Sequence, residues 1–249
     1  MHECIKHSKV DLSSCNPNRL GVVWGVGIGG IISLEEELSS YVKSPNPKFG
    51  PFYITKDITN IAPGHISIKF GLRGVSYATT SACASGNTAI IDAFNHIRLG
   101  KQDIIFAGGA EAAICPSGIG GFGSMRALSE RNDTPETASR PFDVTRDGFV
   151  MAEGSGVLML EELEHAKRRG ANIICEMVGC GYASDAYHIT ATHPDGLGAV
   201  IAMTEAIREA GIEPSAVDFV STHGTSTPLG DISECKALCT VFGNSLEKL

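Results

Sequence analysis

The sequence lacks any apolar run long enough to cross a bilayer. Its most hydrophobic stretches, Leu20 to Ser33 and Ile104 to Ile114, are short and dense in glycine, whereas a membrane helix needs about 20 predominantly apolar residues. It also lacks a basic block. Twenty Lys and Arg stand against 28 Asp and Glu, for a net charge of −8, and no cluster of the kind that tracks a phosphate backbone occurs. Neither membrane insertion nor nucleic-acid binding is expected. The eight cysteines, at 4, 15, 83, 115, 175, 180, 235 and 239, form no Cys-x-x-Cys pair, and most are expected to be small buried hydrophobes. Met1 is followed by His2, Glu3 and Cys4 rather than by a basic segment and an apolar run, so a signal peptide is not indicated and a cytoplasmic location is expected. Low-complexity tracts and short-period repeats are missing as well.

What is present is 43% apolar residues in 249, enough for one large core or two modest ones. Runs rich in Val and Ile alternate with helical patterns: strands at Leu20 to Trp24, Val75 to Thr79, Ile104 to Ala107, Val157 to Leu160 and Ile173 to Val178, and helices from Ser33, at Asn87 to Leu99 and at Glu161 to Arg169. That alternation signals an α/β protein with a buried sheet. A second cycle follows, with a helix from Leu197 to Ala210 stopped by Gly211 and a strand at Val217 to Thr222. Met1 to Ser8 read as the middle of a helix.

In the helix at Asn87, Ala89, Ile90, Ala93, Phe94 and Ile97 share one stripe and Gly100 supplies the stop. Its N-terminus then falls at Ser85 to Asn87, which puts Cys83 on a sharp strand-to-helix turn. Unpaired N–H groups and the positive end of the helix dipole favour thiolate over thiol there. Small neighbours Ala82, Ala84 and Gly86 leave room for an acyl group. On spacing alone, a nucleophile and a buried structural thiol remain equal alternatives. A second loop, Ser221-Thr-His223-Gly-Thr225-Ser-Thr227-Pro-Leu-Gly-Asp231, follows the strand at Val217, and strand ends are where α/β folds place site residues. Taken alone, His223 reads more readily as a surface or satisfied core residue.

Together these segments carry more. Ser81-Ala-Cys83-Ala-Ser-Gly86, Ala107-Gly-Gly-Ala-Glu111, Arg140-Pro-Phe-Asp143 with Arg146-Asp-Gly-Phe149, and His223-Gly-Thr-Ser-Thr-Pro228 resemble, in order and spacing, the signatures of β-ketoacyl-acyl-carrier-protein synthases, the bacterial type II elongating enzymes above all. The resemblance implies a thiolase-like fold layered α-β-α-β-α, here in an N-terminal half at 1–165 and the start of a C-terminal half at 166–249. It implies an acyltransferase of fatty-acid elongation, usually a homodimer, that takes acyl and malonyl groups from acyl carrier protein by decarboxylative Claisen condensation. It assigns Cys83 as the acyl-accepting nucleophile and His223 as a donor to the malonyl enolate. Thr225 and Thr227 match positions that bind the pantetheine arm, Phe149 matches an aromatic beside the acyl pocket, and Glu234 matches a buried carboxylate that in relatives pairs with a lysine. No metal or organic cofactor is implied. The fold is expected to be incomplete at both ends: relatives continue past Thr240-Val-Phe-Gly243 to that lysine and a second histidine, so this chain is expected to be an internal piece, and its condensation to be weak or absent. Ala152 stands where relatives usually carry glycine.

Other signals are weaker. Gly25 to Gly30 and Gly118 to Gly123 both fit Gly-x-Gly-x-x-Gly, but neither leads through a helix to a strand ending in an acid, so both are read as tight turns. Asp185, His188 and His193 lack metal-site spacing and are read as a loop near the substrate entrance. Arg146 and Asp147 are read as structural charges, with Asp143 as a partner. Rival readings are a polyketide ketosynthase, a thiolase-like enzyme acting on CoA esters, and a non-catalytic partner resembling the chain-length factors, which lack the nucleophilic cysteine.

Overall fold

Strand β1, Leu20–Gly25, is buried along its whole length, as the central strand of a sheet covered on both faces must be. In the computed structural model, which describes residues 1–249, β2 (Ser76–Thr79) and β3 (Ile104–Glu111) flank it in parallel. Strand β4 (Gly154–Glu161) pairs antiparallel with β3, giving the order β2-β1-β3-β4. The two-residue period of the strands divides the core. Leu20, Val22, Trp24, Ile104 and Phe106 face one way, where α1 (His2–Ser8) and α4 (Ile61–Phe70) supply Ile5, Ile66 and Phe70. Val23, Ile105 and Ala107 face the other way, onto Ala89 and Ala93 of α5 (Ser85–Arg98).

Alanines at 89 and 93, both fully buried, let α5 lie close on β1 and β3. The stripe read from the sequence holds for Ala89, Ile90, Ala93 and Ile97; Phe94 is left outside this cluster and its ring lies under the Arg98 guanidinium at 4.9 Å, an attraction between a cation and an aromatic face. Helices α2 (Ile31–Lys43) and α3 (Tyr53–Asp57) follow β1, and α7 (Leu163–Arg168) follows β4.

The chain clusters into two compact units, Met1–Ile119 with Ala152–Glu176 and Gly120–Met151 with Met177–Leu249. In the second unit α8 (Leu197–Ala210), stopped by Gly211 at φ 67°, packs on α9 (Pro228–Phe242). Gly196 makes that approach possible, because a Cβ there would sit 2.5 Å from the Ser233 carbonyl oxygen.

Three sequence expectations are corrected. Gly118 to Gly123 is not a tight turn but lies in α6 (Pro116–Ser124). Proline suits the first helical position, and the Glu35 carboxylate accepts the otherwise orphaned N–H of Ser117 at 2.7 Å. Residues 173–178 and 217–222 run without a β-ladder. Further along the first of these segments the backbone is taken up by α8: Cys180 N–H donates to the Glu209 carboxylate at 2.7 Å, and Gly181 lies so close to Ala202 that a Cβ would meet its carbonyl oxygen at 2.0 Å. Directly after the second, the N–H groups of His223 and Gly224 are bound by Glu234. The cysteines, finally, are not mostly buried. Only Cys115 is, while Cys83, Cys175, Cys235 and Cys239 are exposed.

At Gly25 the end of β1 meets the first turn of α5 backbone to backbone, and a Cβ would lie 2.4 Å from Ser85 C and 2.5 Å from Gly86 N. Gly25→Ala must therefore push the α5 N-terminus away. Overpacking of this kind costs about 1–3 kcal/mol, and urea unfolding should show a midpoint lowered accordingly; an unchanged midpoint would contradict the contact.

Candidate active site

Cys83 sits where β2 turns into α5, and the turn is held by side chains before and after it. Thr79 Oγ1 donates to the Ser85 carbonyl at 2.9 Å. Ser85, 4% exposed, donates through Oγ to the Ala82 carbonyl at 2.7 Å and accepts the Ser81 N–H at 2.9 Å. These bonds hold Ala82 at φ 50°, a left-handed conformation that costs a non-glycine residue on the order of 1 kcal/mol or more. The kink turns Cys83 outward, and the residue is exposed. No side chain caps the N-terminus of α5, so its partial positive charge is directed at whatever occupies the turn. An exposed sulfur at an uncapped helix N-terminus is suited to act as a thiolate nucleophile.

His223, Thr225 and Glu234 line one cavity of about 780 Å³ within the second unit, together with His188 and Asp185. Glu234 on α9 reaches back so that its two carboxylate oxygens accept the N–H groups of His223 at 2.6 Å and Gly224 at 2.8 Å. It is half-buried, and what it meets here is backbone. Thr225 and Thr227 face each other, Oγ1 to Oγ1, at 3.1 Å. Gly224 at φ 46° and Ser226 at φ 67° bend the loop so that Ser226 points inward, fully buried, while His223 stays exposed.

Beneath the loop lies Asp231, 1% exposed. Its carboxylate accepts the Ser226 N–H at 3.2 Å and the Phe142 N–H at 2.7 Å, and it pairs with Arg146 Nε at 3.3 Å. Arg146 is thus a structural charge, but its ion-pair partner is Asp231, and what it takes from Asp143 is the backbone carbonyl at 2.9 Å. Asp147 pairs with Arg140 at 3.0 Å. The Arg140 N–H donates to Ser226 Oγ at 3.1 Å and the Gly148 N–H to the Ser226 carbonyl at 3.0 Å, which ties residues 140–148 to the histidine loop. Phe149 follows directly, half-buried, its ring edge-on to Phe122 of α6 at 5.3 Å. Ser85, Thr79, Ser226 and Asp231 were not singled out from the sequence. Asp231 appeared there only as the last residue of the loop that begins at Ser221, and the structure places it in the first turn of α9.

The segments that were discounted have defined roles. The Gly25 to Gly30 turn holds an anion, the chain's own: Glu111 accepts the N–H groups of Gly27 at 2.9 Å, Ile28 at 2.8 Å and Gly29 at 3.3 Å. A carboxylate in that cradle leaves no place for a pyrophosphate. Asp185 accepts the N–H groups of His193 at 2.8 Å and Gly198 at 2.9 Å, and His188 Nδ1 accepts those of Thr190 and Ala191. Both side chains therefore shape a loop. No helix is long and apolar enough to cross a membrane.

A strand-to-helix cysteine and a His-Gly-Thr-Ser-Thr-Pro loop on an α/β frame are the features by which the chain meets known proteins. The chain matches the β-ketoacyl synthase N-terminal domain over residues 1–166 and the C-terminal domain over residues 174–248, and it belongs to the β-ketoacyl synthase family. It is 48% identical, over 90% of its length and 49% of the relative's, to the mitochondrial 3-oxoacyl-[acyl-carrier-protein] synthase of Arabidopsis thaliana. It is 46% identical to 3-oxoacyl-[acyl-carrier-protein] synthase 2 of Synechocystis sp., over 97% of this chain and 58% of that one. Among solved structures it resembles a β-ketoacyl synthase from Burkholderia phymatum, with a TM-score of 0.84 at 35% identity over 96% of this chain and 60% of the other. It also resembles a type II polyketide ketosynthase solved with its acyl-carrier protein, with a TM-score of 0.90 at 35% identity over 97% and 61%. The fold is that of these ketosynthases, thiolase-like. The chain spans about half to three-fifths of the length of the curated relatives it matches.

Asp231→Asn should lower stability by about 3 kcal/mol, because it strips the countercharge from Arg146, whose side chain is 13% exposed. Urea unfolding followed in the second unit checks this, and a loss under about 0.5 kcal/mol, the range of ordinary surface changes, would count against it. Ser85→Ala removes the oxygen that both donates to Ala82 and accepts from Ser81. It should slow alkylation of Cys83 by iodoacetamide while the circular dichroism spectrum is retained; an unchanged rate would show that the turn needs no such support.

Proposed function

We propose that the chain carries the acyl-accepting nucleophile and the malonyl-binding histidine of a 3-oxoacyl-acyl-carrier-protein synthase that extends fatty acids by decarboxylative Claisen condensation. The observation that carries this reading is Cys83, exposed behind the left-handed Ala82 at the side-chain-uncapped N-terminus of α5. The thiolate attacks the thioester carbon of an acyl group delivered on the phosphopantetheine arm of acyl carrier protein. The carbonyl becomes an oxyanion held by backbone N–H groups at the turn, Cys83's own among them, and the carrier thiol departs. Malonyl-carrier protein then enters the cavity at His223, with Thr225 and Thr227 as hydroxyl partners of the pantetheine arm and Phe149 beside the acyl chain.

Loss of CO2 from malonyl leaves an enolate, and the neutral His223 imidazole donates its N–H to that oxygen. Glu234 positions the histidine through the backbone N–H groups of residues 223 and 224. The carbanion attacks the Cys83 thioester, a carbon–carbon bond forms, the carbon–sulfur bond breaks and the thiolate is restored. The partner is acyl carrier protein, the working form a homodimer and the compartment the cytoplasm. A fatty-acid substrate is favoured over a polyketide because the curated relatives at 42–48% identity are 3-oxoacyl-carrier-protein synthases, whereas the polyketide ketosynthase likeness stands at 35%.

Intact-protein mass spectrometry after incubation with an acyl-carrier-protein thioester should show one acyl adduct that is lost in Cys83→Ala and kept in His223→Ala. The histidine change should instead lower CO2 release from malonyl-carrier protein by about 10²–10³, as loss of one oxyanion donor does. An adduct that persists without Cys83 would refute the assignment.

A further inference from the structure

Cysteine is among the residues most often buried, yet Cys235 and Cys239 are both exposed, both lie on α9, and neither is in a disulfide. Residues four apart on a helix stand one above the other, with Cβ atoms about 6 Å apart. Both also line the same groove of about 640 Å³ in the second unit, whose other walls include Phe142, Ile232 and Lys236. The charged groups of this groove already have partners. Lys236 is drawn to Asp195 at 3.0 Å and the Pro194 carbonyl at 2.9 Å, and Arg146 is drawn to Asp231 at 3.3 Å. The two sulfurs are thus the reactive atoms of a surface recess, on one face of a single helix.

We propose that Cys235 and Cys239 form a dithiol site for thiophilic reagents with two open valences, represented by a trivalent arsenical. In the reaction each S–H bond is exchanged for an S–As bond. The two protons leave with the arsenical's oxygen as one molecule of water, arsenic stays trivalent and no thiol is oxidised. Once the first S–As bond has formed, the second closes within the molecule, which strengthens binding by roughly 10²–10⁴-fold over a single thiol. Burial and the adjacent Cys239, Asp231 and Glu234 push the Cys235 thiol up. That disfavours attack by reagents that need a lone thiolate and leaves exchange of both protonated thiols open.

The probe is phenylarsine oxide, added to the full chain in the presence of excess glutathione and read by intact-protein mass spectrometry. The site predicts one arsenical per chain with loss of one water, retained against glutathione and released by 2,3-dimercaptopropanol. Cys235→Ser and Cys239→Ser should each reduce the retained arsenical at least about tenfold, toward the strength of a single thiol, while Cys83→Ala leaves it in place. Circular dichroism confirms that these exposed substitutions keep the fold. Absence of a glutathione-resistant adduct on the unaltered chain, or its persistence in either serine variant, overturns the proposal.

Discussion

The carboxylate of Asp231 is buried to 1% exposure and divides its two oxygens among the N–H of Ser226, the N–H of Phe142 and the guanidinium of Arg146. Each of those partners belongs to a stretch of chain with no regular structure of its own; without the carboxylate two backbone N–H groups would be left unmet and the guanidinium would lose its countercharge. The exposed attitude of His223, the inward turn of Ser226 and the placement of Phe149 one residue after Gly148 all hang on this convergence. A carboxylate can do this because both of its oxygens accept and it carries the charge that the guanidinium needs, whereas an amide has one accepting oxygen and is neutral. The carboxylate therefore serves twice, completing a net of backbone donors and supplying the countercharge to a largely buried guanidinium.

At Cys83 the same task, holding an irregular turn in one shape, is met by lack of space. Gly25 allows β1 to touch the α5 backbone, Ala89 and Ala93 bring the helix down onto the sheet, and Ser85 locks the turn to the residues on either side. The left-handed Ala82 is strain that this packing overrides. The exposure of Cys83 is therefore a product of how tightly everything behind it is packed.

The α/β frame was legible because its signals are local: the two-residue period of β1 and β3, the stripe on α5 and the glycine stop of α8 are written within a dozen residues each. Cys83 and His223 could be singled out as candidates because a distinctive run of residue types surrounds each. What escaped is what depends on partners remote in sequence. Nothing around Arg146 distinguishes Asp143, three residues away, from Asp231, 85 residues away. A helix through Gly118 to Gly123 contradicts local propensity and exists because Glu35, far upstream, supplies its missing N-terminal acceptor. The runs at 173–178 and 217–222 have strand-like composition, yet no ladder forms there, and pairing is a property of neighbours rather than of a segment.

Helix α6 carries four glycines in nine residues, at 118, 120, 121 and 123. Each gives up about 1 kcal/mol of helical preference relative to alanine, and at 120, 121 and 123 a Cβ would meet nothing within 4 Å. Crowding therefore does not demand glycine at those three positions. The wall against which Phe122 holds Phe149 is accordingly a soft one, a helix whose amides should exchange with solvent well before those of α5 and whose compliance sets how readily the aromatic pair can yield to a bulky guest.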